Sequence, residues 1–407
     1  MNILYIAYSC GTRSGSENAI GWNIPMHSAL MGNNVYIITK NTSKPDLQDY
    51  LKKHPINNLK VLYVDEPNYP KRLRKLLFAF CLKRWQKRAY RAAKKLCAQE
   101  PVELIHQITP VELRNIGSYG KIQNVPFVVG PIGGGQKIAK PLRGYITGKG
   151  KIVERLRLLF NGVNKLTVRL TGKLKHCDYV FYANEETKAY LPTKGKSALC
   201  TEVGTAQVPG YTPPKKEKAQ GCTFLIAGRL EYFKGHDFVF DAMEKLPKEA
   251  DFSCIVVGAG PMRARLEQRC RASEQLRKKV RFLGKVDYKQ MGQVYEEADV
   301  LLMPSMRETT GTVILEAMAQ GRPVIAQKAF GAKLLVGTHS GWLYDGDSRE
   351  QMLRQLKGFL QHCIDCPEDV AQKGRTAAQE AHRHLWQEKL KTYTSVYELL
   401  CSKCKTD

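Results

Sequence analysis

The sequence predicts an α/β protein with two doubly wound domains, and two observations lead to this prediction. Its 407 residues are too many for one ordinary core and suit two domains of roughly 150 to 200 residues each. Short apolar runs also alternate with helical patterns in both halves, as in parallel sheets with right-handed crossovers. We therefore expect two Rossmann-like domains that face each other across a cleft.

Apolar runs predict the strands of both domains. In the first half a helical pattern over residues 16–32 separates the first two runs. The runs of the first half are residues 3–7, 35–39, 104–108 and 127–129. Those of the second half are residues 224–227, 253–257, 280–283, 300–303 and 324–326. Such continuous runs are typical of parallel strands, because helices cover both faces of the sheet.

Between the two series, the pattern breaks around Pro209, Pro213 and Pro214. Such a cluster is typical of a linker. We therefore predict an N-terminal domain over 1–205, a linker over 206–221 and a C-terminal domain over 222–385. The amphipathic stretch 386–407 is expected to form a helix that returns to the N-terminal domain.

The net charge of +26 lies mostly in the N-terminal half, where residues 1–205 carry 33 Lys and Arg against 13 Asp and Glu. Such a field attracts nucleic acid, an anionic membrane or phosphorylated substrates. Two basic stretches, 71–95 and 149–175, interleave cations with apolar residues. Each is either a solvated helix face or a peripheral dock on an anionic membrane.

Five apolar residues are interleaved with the cations of the first basic stretch. They are Leu73, Leu76, Leu77, Phe80 and Trp85.

No apolar run approaches the roughly 20 residues that a spanning helix needs. The N-terminal run lacks the basic start of a signal peptide, so we expect a cytoplasmic protein. Two CxxC pairs, Cys363/Cys366 and Cys401/Cys404, are either a four-thiolate zinc site or a chance spacing. We expect no cofactor and no metal.

Two glutamates mark a candidate site in the second domain. A buried strand ends in a polar loop with Glu308, and a helix then runs over about 311–320 with Thr309 or Thr310 as its cap. The start of such a helix attracts a phosphate. Glu316 lies in this otherwise apolar helix, so its carboxylate needs a partner or a ligand hydroxyl.

Arg229 and Lys234 follow the first strand of this domain and could bind a diphosphate, unless they are ordinary surface cations. Gly258-Ala259-Gly260 is only part of a dinucleotide motif, because Arg263 stands at the sixth position. This departure disfavours an NAD-dependent enzyme. The sequence contains no zinc-finger or helix-turn-helix pattern, so we expect no nucleic-acid partner either.

Taken in order, these segments resemble the retaining glycosyltransferases of family 4, also called group 1, which have the GT-B fold. The resemblance covers nearly the whole chain and is strongest over about 222–345. It rests on the Glu308 and Glu316 pair and on short motifs around it. These motifs are Gly228-Arg229-Leu230, Lys234-Gly235, Gly258-Ala259-Gly260-Pro261, Phe282-Leu283-Gly284, Glu316-Ala317-Met318-Ala319, Gly321-Arg322-Pro323-Val324 and Gly341-Trp342-Leu343.

The resemblance implies a role for each donor-site residue. Arg229 and Lys234, beside Gly228, would hold the diphosphate of a UDP- or GDP-sugar. Glu316 would bind the ribose hydroxyls and Glu308 would face the sugar. The backbone of Gly311, Thr312 and Val313 would receive a phosphate, and the backbone beside Lys285 would meet the base.

In the N-terminal domain the resemblance is to loops on the acceptor side. Gly15, Ser16 and Glu17 would close over the phosphates, and Gly133 and Gly134 would lie near donor or acceptor. His106 either faces the donor or is a packing residue.

Two loops depart from the family pattern, Thr309-Thr310-Gly311 and Ala329-Phe330-Gly331-Ala332. Both adjoin the expected sugar pocket, so the identity of the sugar stays open. The resemblance implies retaining transfer to a hydroxyl acceptor. We expect a lipid-linked saccharide of bacterial surface polysaccharide synthesis at the inner face of the plasma membrane. Two alternatives stay open, a soluble small acceptor and a nucleic-acid-binding protein that uses the basic half.

Overall fold

The computed structural model describes residues 1–12, 16–67, 78–215 and 221–403. By their internal contacts the residues divide into two compact units. Unit 1 comprises Met1–Gly135, Leu159–Gly204 and Trp386–Asp407, and unit 2 comprises Gln136–Leu158 and Thr205–Leu385. Each unit is built around one parallel sheet, so the predicted two-domain Rossmann-like α/β fold is confirmed.

The sheet of unit 1 has seven strands among the described residues, in the order β3-β2-β1-β4-β5-β6-β7. The strands are Asn2–Ala7 (β1), Asn34–Lys40 (β2), Leu59–Val64 (β3), Leu104–Thr109 (β4), Phe127–Ile132 (β5), Tyr179–Tyr182 (β6) and Lys196–Leu199 (β7). All neighbouring strands are parallel. Ile3 and Tyr5 of β1 enter one apolar core, whereas Leu4 and Ile6 enter another. Helices therefore cover both faces of this sheet.

The sheet of unit 2 has six strands in the described residues, in the order β10-β9-β8-β11-β12-β13. The strands are Cys222–Ala227 (β8), Phe252–Val257 (β9), Val280–Gly284 (β10), Val300–Met303 (β11), Val324–Gln327 (β12) and Gly341–Tyr344 (β13). These neighbours are parallel as well. The chain order reverses between β8 and β11. Ligands of such sheets bind at the carboxyl ends of the strands beside this reversal.

The helices are numbered here in chain order. They are Ser16–Leu30 (α1), Lys44–Lys53 (α2), Phe78–Gln99 (α3), Lys149–Leu170 (α4), Glu185–Tyr190 (α5), His236–Met243 (α6), Arg263–Ala272 (α7), Met291–Glu297 (α8), Thr312–Ala319 (α9), Ala332–Leu335 (α10), Arg349–Asp365 (α11), Pro367–Ala381 (α12) and Trp386–Lys403 (α13). The two sheets alternate with these helices, as the apolar runs predicted.

Residues 136–158 belong to unit 2, although the sequence-based boundary placed them in the N-terminal domain. Ile138, Leu142 and Ile146 are buried in the same core as Phe238 of α6. Tyr145 adds a hydrogen bond from its hydroxyl to the carboxylate of Asp241. Burial of these apolar side chains draws the segment to unit 2, so chain order alone gave the wrong boundary here.

The C-terminal helix α13 packs in unit 1. Trp386, Leu390, Tyr393 and Tyr397 are buried in the core that contains Ile3 and Tyr5. Helix α13 and helix α1 lie against each other in this unit. Unit 1 is therefore completed by a helix that follows all of its strands in the sequence.

Several predicted features lie outside the described residues: the first basic stretch up to residue 77, Gly15, Cys404 and residues 216–220 of the linker. Of the apolar residues in the first basic stretch, Phe80 is exposed, but Trp85 is buried and donates its indole N–H to the carbonyl of Val64. Trp85 is therefore a core residue and is not part of an exposed apolar face. In the described ranges we find no helix with the length and apolar character to cross a bilayer.

Candidate active site

The carboxyl ends of β8 and β11 lie side by side in the sheet of unit 2, at the reversal of strand order. The loop after β8 carries Arg229 and Lys234, and the loop after β11 carries Glu308. A backbone hydrogen bond from Met306 N–H to the carbonyl of Phe233, 2.9 Å long, joins the two loops. The topology thus brings together residues that are far apart in the sequence.

Lys234 and Glu308 form an ion pair through Nζ and Oε2. Their side chains retain only 14% and 22% of their exposure, so water screens the pair less than it would at an open surface. Gly235, which follows Lys234, has a φ of 71°. A Cβ at this position would lie 2.1 Å from the carbonyl oxygen of Pro304. The close approach of the two loops therefore requires glycine here.

Arg229 is exposed and lies near the same pair of loops. Its guanidinium carbon is 5.8 Å from the ring centre of Phe233, and that of Arg307 is 4.4 Å from the same ring. Both distances are within the range of cation–π attraction. Phe233 thus helps to hold two guanidinium groups beside Lys234, which gives this edge of the sheet a cluster of three cations.

Glu316 of α9 has the partner that its apolar helix required. The phenol of Tyr295 in α8 donates a hydrogen bond of 3.0 Å to its Oε2. Burial raises the pKa of Glu316, and the bond from Tyr295 opposes that rise. The carboxylate is therefore oriented by one donor and keeps further lone pairs that ligand hydroxyls can use.

Helix α9 begins at Thr312, with Gly311 as its N-cap at a φ of 89°. Gly311 has no side chain, so the predicted N-cap at Thr309 or Thr310 was wrong. Thr310 is instead buried, with 1% exposure. The partly exposed backbone at Gly311, Thr312 and Val313 carries the N–H groups of the first helical turn. Such groups attract phosphate.

The strand ends next to this helix are joined through glycines. Gly228 donates its N–H to the carbonyl of Val257, and Gly258 donates to the carbonyl of Gly284 at 2.7 Å. Lys285 follows at once and is exposed, and Tyr288 is exposed over 76% of its surface. The backbone beside Lys285 therefore lies at the same edge of the sheet as Gly228, where the base of a nucleotide was expected.

The second unusual loop contains a strained residue. Phe330 has a φ of 58°, which is rare for an aromatic residue, and is nearly buried. It lines a small cavity with Glu308 and Thr310. A Cβ at Gly331 would lie 2.2 Å from the Cα of Thr310, so glycine is required. Both loops that depart from the family pattern therefore meet beside Glu308.

In unit 1, His106 lies in the core. Its exposure is 0%, its Nε2 donates to the carbonyl of Gly130 at 2.8 Å, and its Nδ1 accepts from the hydroxyl of Tyr397 at 2.6 Å. Burial lowers the pKa of His106 to about 3, so the ring is neutral at pH 7. Both ring nitrogens are occupied. Of the two interpretations of His106, only the packing one fits these contacts.

Ser16 and Glu17 open helix α1 after the end of β1. Glu17 accepts hydrogen bonds from the backbone of Val111 at 2.7 Å and from the hydroxyl of Ser9 at 3.1 Å. Burial is the largest influence on Glu17 and raises its pKa. Glu17 thus ties the loops after β1 and β4 together, at the reversal point of this sheet, while Ser16 is exposed.

Gly133 and Gly134 belong to the loop after β5. The carbonyl of Gly133 accepts from the backbone N–H of Leu113 at 2.8 Å, and that of Gly134 accepts from the side-chain amide of Asn161 at 2.8 Å. Gly134 has a φ of 104°, which favours glycine. The loop is fixed by these bonds within unit 1.

Comparison with known proteins finds a family to which most of unit 2 is similar. Residues 212–377 match the model of the family described as glycosyl transferases group 1. This segment is similar to group 1 glycosyltransferases. It contains Arg229, Lys234, Glu308 and Glu316, so these four residues of the candidate donor site lie within the match.

Curated relatives match parts of the chain. An uncharacterized glycosyltransferase of Methanocaldococcus jannaschii is 36% identical over 30% of this chain and 31% of the relative. The sulfoquinovosyl transferase of Arabidopsis thaliana is 30% identical over 40% of this chain and 30% of the relative. A D-inositol 3-phosphate glycosyltransferase of Jonesia denitrificans is 26% identical over 63% and 60%. The matches thus span less than two thirds of each relative's length.

Solved structures match almost the full chain. Sucrose-phosphate synthase from Thermosynechococcus elongatus has a TM-score of 0.67 at 18% identity and covers 99% of this chain and 100% of its own. Anabaena HepE in complex with UDP-glucose has a TM-score of 0.60 at 18% identity and covers 97% and 100%. Identities this low bear on the fold alone, and that fold is GT-B.

Two contacts of unit 2 were not foreseen from the sequence. One is the bond from Tyr295 to Glu316. The other is Arg307, whose Nε lies 3.4 Å from Oε2 of Glu154 in α4. The apolar surroundings of Glu316 in the sequence indicated that it has a partner, but no local pattern indicated the contact between Glu154 and Arg307.

Thiols and acids do not converge on a metal site in the parts of the chain that the structure describes: no group of three or more metal-ligating side chains occurs there. Cys363 is buried at the end of α11, and Cys366 is partly exposed at the start of α12. Cys401 is buried in α13 of unit 1.

Proposed function

We propose that the protein is a retaining glycosyltransferase of family 4 that transfers a sugar from a nucleoside-diphosphate sugar to a hydroxyl group. The observation that carries this proposal is the ion pair of Lys234 and Glu308 at the reversal of strand order. Arg229 and the start of α9 lie at the same edge of the sheet, and the segment falls within the group 1 glycosyltransferase match.

The donor is a UDP- or GDP-sugar in this proposal. Arg229 and Lys234 bind its diphosphate, and the backbone at Gly311, Thr312 and Val313 receives a phosphate. Glu316 accepts hydrogen bonds from the ribose hydroxyls, which its orientation by Tyr295 favours. A structural neighbour, Anabaena HepE, binds UDP-glucose, which supports this class of donor.

The reaction breaks the bond between the anomeric carbon and the diphosphate oxygen. A new bond forms between that carbon and the acceptor oxygen on the same face of the sugar. The acceptor proton passes to an oxygen of the leaving diphosphate. Arg229, Lys234 and the N–H groups of α9 stabilise the negative charge that develops there, as a metal ion does in other enzymes.

Glu308 changes its partner in this scheme. In the protein alone it is paired with Lys234. A donor diphosphate competes for Lys234 and leaves the carboxylate of Glu308 available to the sugar. Phe330 and Thr310 line the same small cavity, so they help to select the sugar.

The acceptor is a lipid-linked saccharide of bacterial surface polysaccharide synthesis, reached at the inner face of the plasma membrane. The support is helix α4, which turns five apolar side chains of unit 1 to solvent. They are Leu159, Phe160, Val163, Leu166 and Leu170, with 57% to 78% of their surface exposed. Their spacing makes one stripe, and Arg169 flanks it. Such an amphipathic helix binds anionic lipid surfaces.

A soluble small acceptor is the second candidate. Several relatives are named D-inositol 3-phosphate glycosyltransferases, and this name denotes a small phosphorylated acceptor. Lipid dependence of turnover separates the two candidates, because only a lipid-linked acceptor requires vesicles.

A panel of nucleotides and nucleotide sugars tests the donor. UDP or GDP should raise the unfolding temperature, and NAD should not. The cognate nucleotide sugar should be slowly hydrolysed. If no nucleotide of the panel binds, or if the Arg229→Ala variant folds and keeps normal turnover, the proposal fails. A gel shift with nucleic acid at several salt concentrations tests the remaining class of function.

Vesicle flotation tests the membrane face. The Leu159→Glu/Leu166→Glu variant should lose binding to vesicles with anionic lipid. Leu30→Glu is the matched control, because Leu30 of α1 has the same 62% exposure as Leu159. Binding that is indifferent to lipid charge, or equal loss in the control, contradicts the membrane part of the proposal.

A further inference from the structure

A basic cavity in unit 2 is lined by residues of the segment 136–158, which packs into this unit. Its volume is about 330 Å³, which is in the range of small-ligand sites, about 300 to 1,000 Å³. Four cations line it: Lys137 and Arg143 before helix α4, and Lys151 and Arg155 on the helix. The residues that line this cavity, here named the basic cavity, are distinct from those assigned to the donor site above.

Three cations of the basic cavity, Arg143, Lys151 and Arg155, are not paired with carboxylates of the described residues. Lys151 and Arg155 are four residues apart on one helix face, where two like charges destabilise a helix. Neither they nor Arg143 form an ion pair with any residue that the structure describes. An anion bound between them would relieve this repulsion.

Glu154 is the one acidic residue that lines the cavity. It is nearly buried, and Arg157 lies 2.6 Å from its Oε1. Arg307 approaches its other carboxylate oxygen at 3.4 Å. The charge of Glu154 is thus compensated by two arginines that do not line the cavity, so it offsets little of the positive potential there.

Apolar surface accompanies these charges. Ile138, Ile146 and Leu158 line the same cavity. On the same part of helix α4, Ile152 and Val153 are 60% and 50% exposed. A ligand that combines a multiply charged anion with an apolar portion would satisfy both features.

We infer that the basic cavity binds a phosphate or diphosphate group of the acceptor. Lys151 and Arg155 donate hydrogen bonds to its oxygens from the helix, and Arg143 does so from the preceding segment. The assignment to the acceptor rests on the proposed function. The anion site itself rests only on the residues of the cavity.

Calorimetric titration of the full chain with inorganic pyrophosphate, in the presence of saturating UDP, tests the site. UDP occupies the donor site, so remaining binding reports another site. The Lys151→Met/Arg155→Gln variant should bind pyrophosphate about tenfold or more weakly, because charge-assisted hydrogen bonds are lost. The matched control is Lys245→Met/Arg277→Gln, which removes two exposed cations of the same unit. It should bind as the wild type does.

A second arm identifies the source of the phosphate. A short prenyl diphosphate should bind more tightly than pyrophosphate if the acceptor is lipid-linked, and equal binding indicates a soluble phosphorylated acceptor. Absence of pyrophosphate binding beside UDP, or equal weakening in both double variants, overturns the inference. If UDP itself does not bind, the proposed function fails. The same comparison of variants without UDP still decides the anion site.

Discussion

The phenol oxygen of Tyr295 lies 3.0 Å from Oε2 of Glu316. Both side chains are largely buried, one on α8 and the other on α9. A carboxylate in an apolar helix is thereby kept in one orientation by a single neutral donor. This pair links the packing of unit 2 directly to its candidate ribose site.

Substitution of Tyr295 by Phe should weaken UDP binding about fivefold, since a hydrogen bond of this kind contributes about 1 kcal/mol. Burial already raises the pKa of Glu316, and loss of the phenol should raise it further. Ribose binding needs the ionised carboxylate. The acid limb of UDP affinity should therefore move to higher pH in the variant.

Tyr344→Phe is the control for this change, because the buried hydroxyl of Tyr344 has no hydrogen-bond partner in the described structure. It should leave both the affinity and its pH dependence unchanged. A Tyr295→Phe variant with an unshifted acid limb would show that Glu316 does not act through its charge.

Lys234 and Glu308 should respond differently to removal of their charges. Lys234→Met should weaken UDP binding roughly 30-fold, about 2 kcal/mol for a lost charge-assisted hydrogen bond, and should abolish turnover. Glu308→Gln should lose turnover but bind UDP at least as tightly as the wild type, because its competition for Lys234 is removed.

Equilibrium binding and turnover with the cognate donor measure this split. Lys245→Met, which removes an exposed lysine of unit 2, should change neither quantity. Weaker UDP binding by Glu308→Gln would contradict the exchange of partners.

Gly235→Ala should destabilise the protein by at least about 2 kcal/mol. A left-handed residue with a Cβ costs roughly 1–2 kcal/mol, and here the Cβ would also meet the carbonyl of Pro304 at 2.1 Å. The loop that carries Lys234 must then shift, so turnover should fall as well. Urea denaturation and initial rates measure the two effects.

The comparison for this change is Gly292→Ala in helix α8, where an added Cβ meets nothing within 4 Å. Alanine should be neutral there or stabilise by up to about 1 kcal/mol. Equal stability of the two variants would mean that the loops after β8 and β11 are not tightly packed.

Because of His106, the free energy of unfolding should depend on pH. Its pKa is lowered by burial to about 3 in the folded protein, against about 6.5 in an unfolded chain. Between these values the unfolded state binds the additional proton, so the free energy of unfolding falls as the pH falls. His106→Gln should remove up to about 1.4 kcal/mol per pH unit from that slope.

Urea denaturation at several pH values between about 3 and 7 covers this window and gives the slope of the free energy of unfolding against pH. His339→Gln, which replaces an exposed histidine, is the comparison variant. Folded His106→Gln protein should also retain UDP binding, because both ring nitrogens are occupied within the core. Loss of UDP binding without loss of stability would instead indicate that His106 belongs to the donor site.

Local patterns predicted most central strands of both sheets because buried parallel strands are continuous apolar runs. The same patterns missed β3, β6, β7 and β13. Exposed lysines interrupt two of these strands, Lys60 in β3 and Lys196 in β7. The helix start at Thr312 was predicted within a residue. Its cap was not, because the left-handed Gly311 takes the N-cap position that a threonine was expected to fill.

Side-chain pairs between distant segments were beyond local patterns. The apolar helix around Glu316 indicated that this carboxylate needs a partner, but only the tertiary fold brings Tyr295 to it. Glu154 and Arg307 are 153 positions apart in the sequence and meet because residues 136–158 pack into unit 2. Site residues could therefore be predicted from the sequence where they follow the end of a strand. Their partners could not be predicted where the contact depends on the packing of distant segments.

The interleaved order of the two units has a consequence for synthesis on the ribosome. All strands of the first sheet are translated before residue 200, but helix α13, whose Tyr397 bonds to His106, follows only after the whole second sheet. The apolar pocket that receives Trp386 and Tyr393 therefore stays exposed while some 180 residues are added at about 5–20 residues per second. During this delay of roughly ten seconds or more the nascent first sheet is a substrate for chaperones.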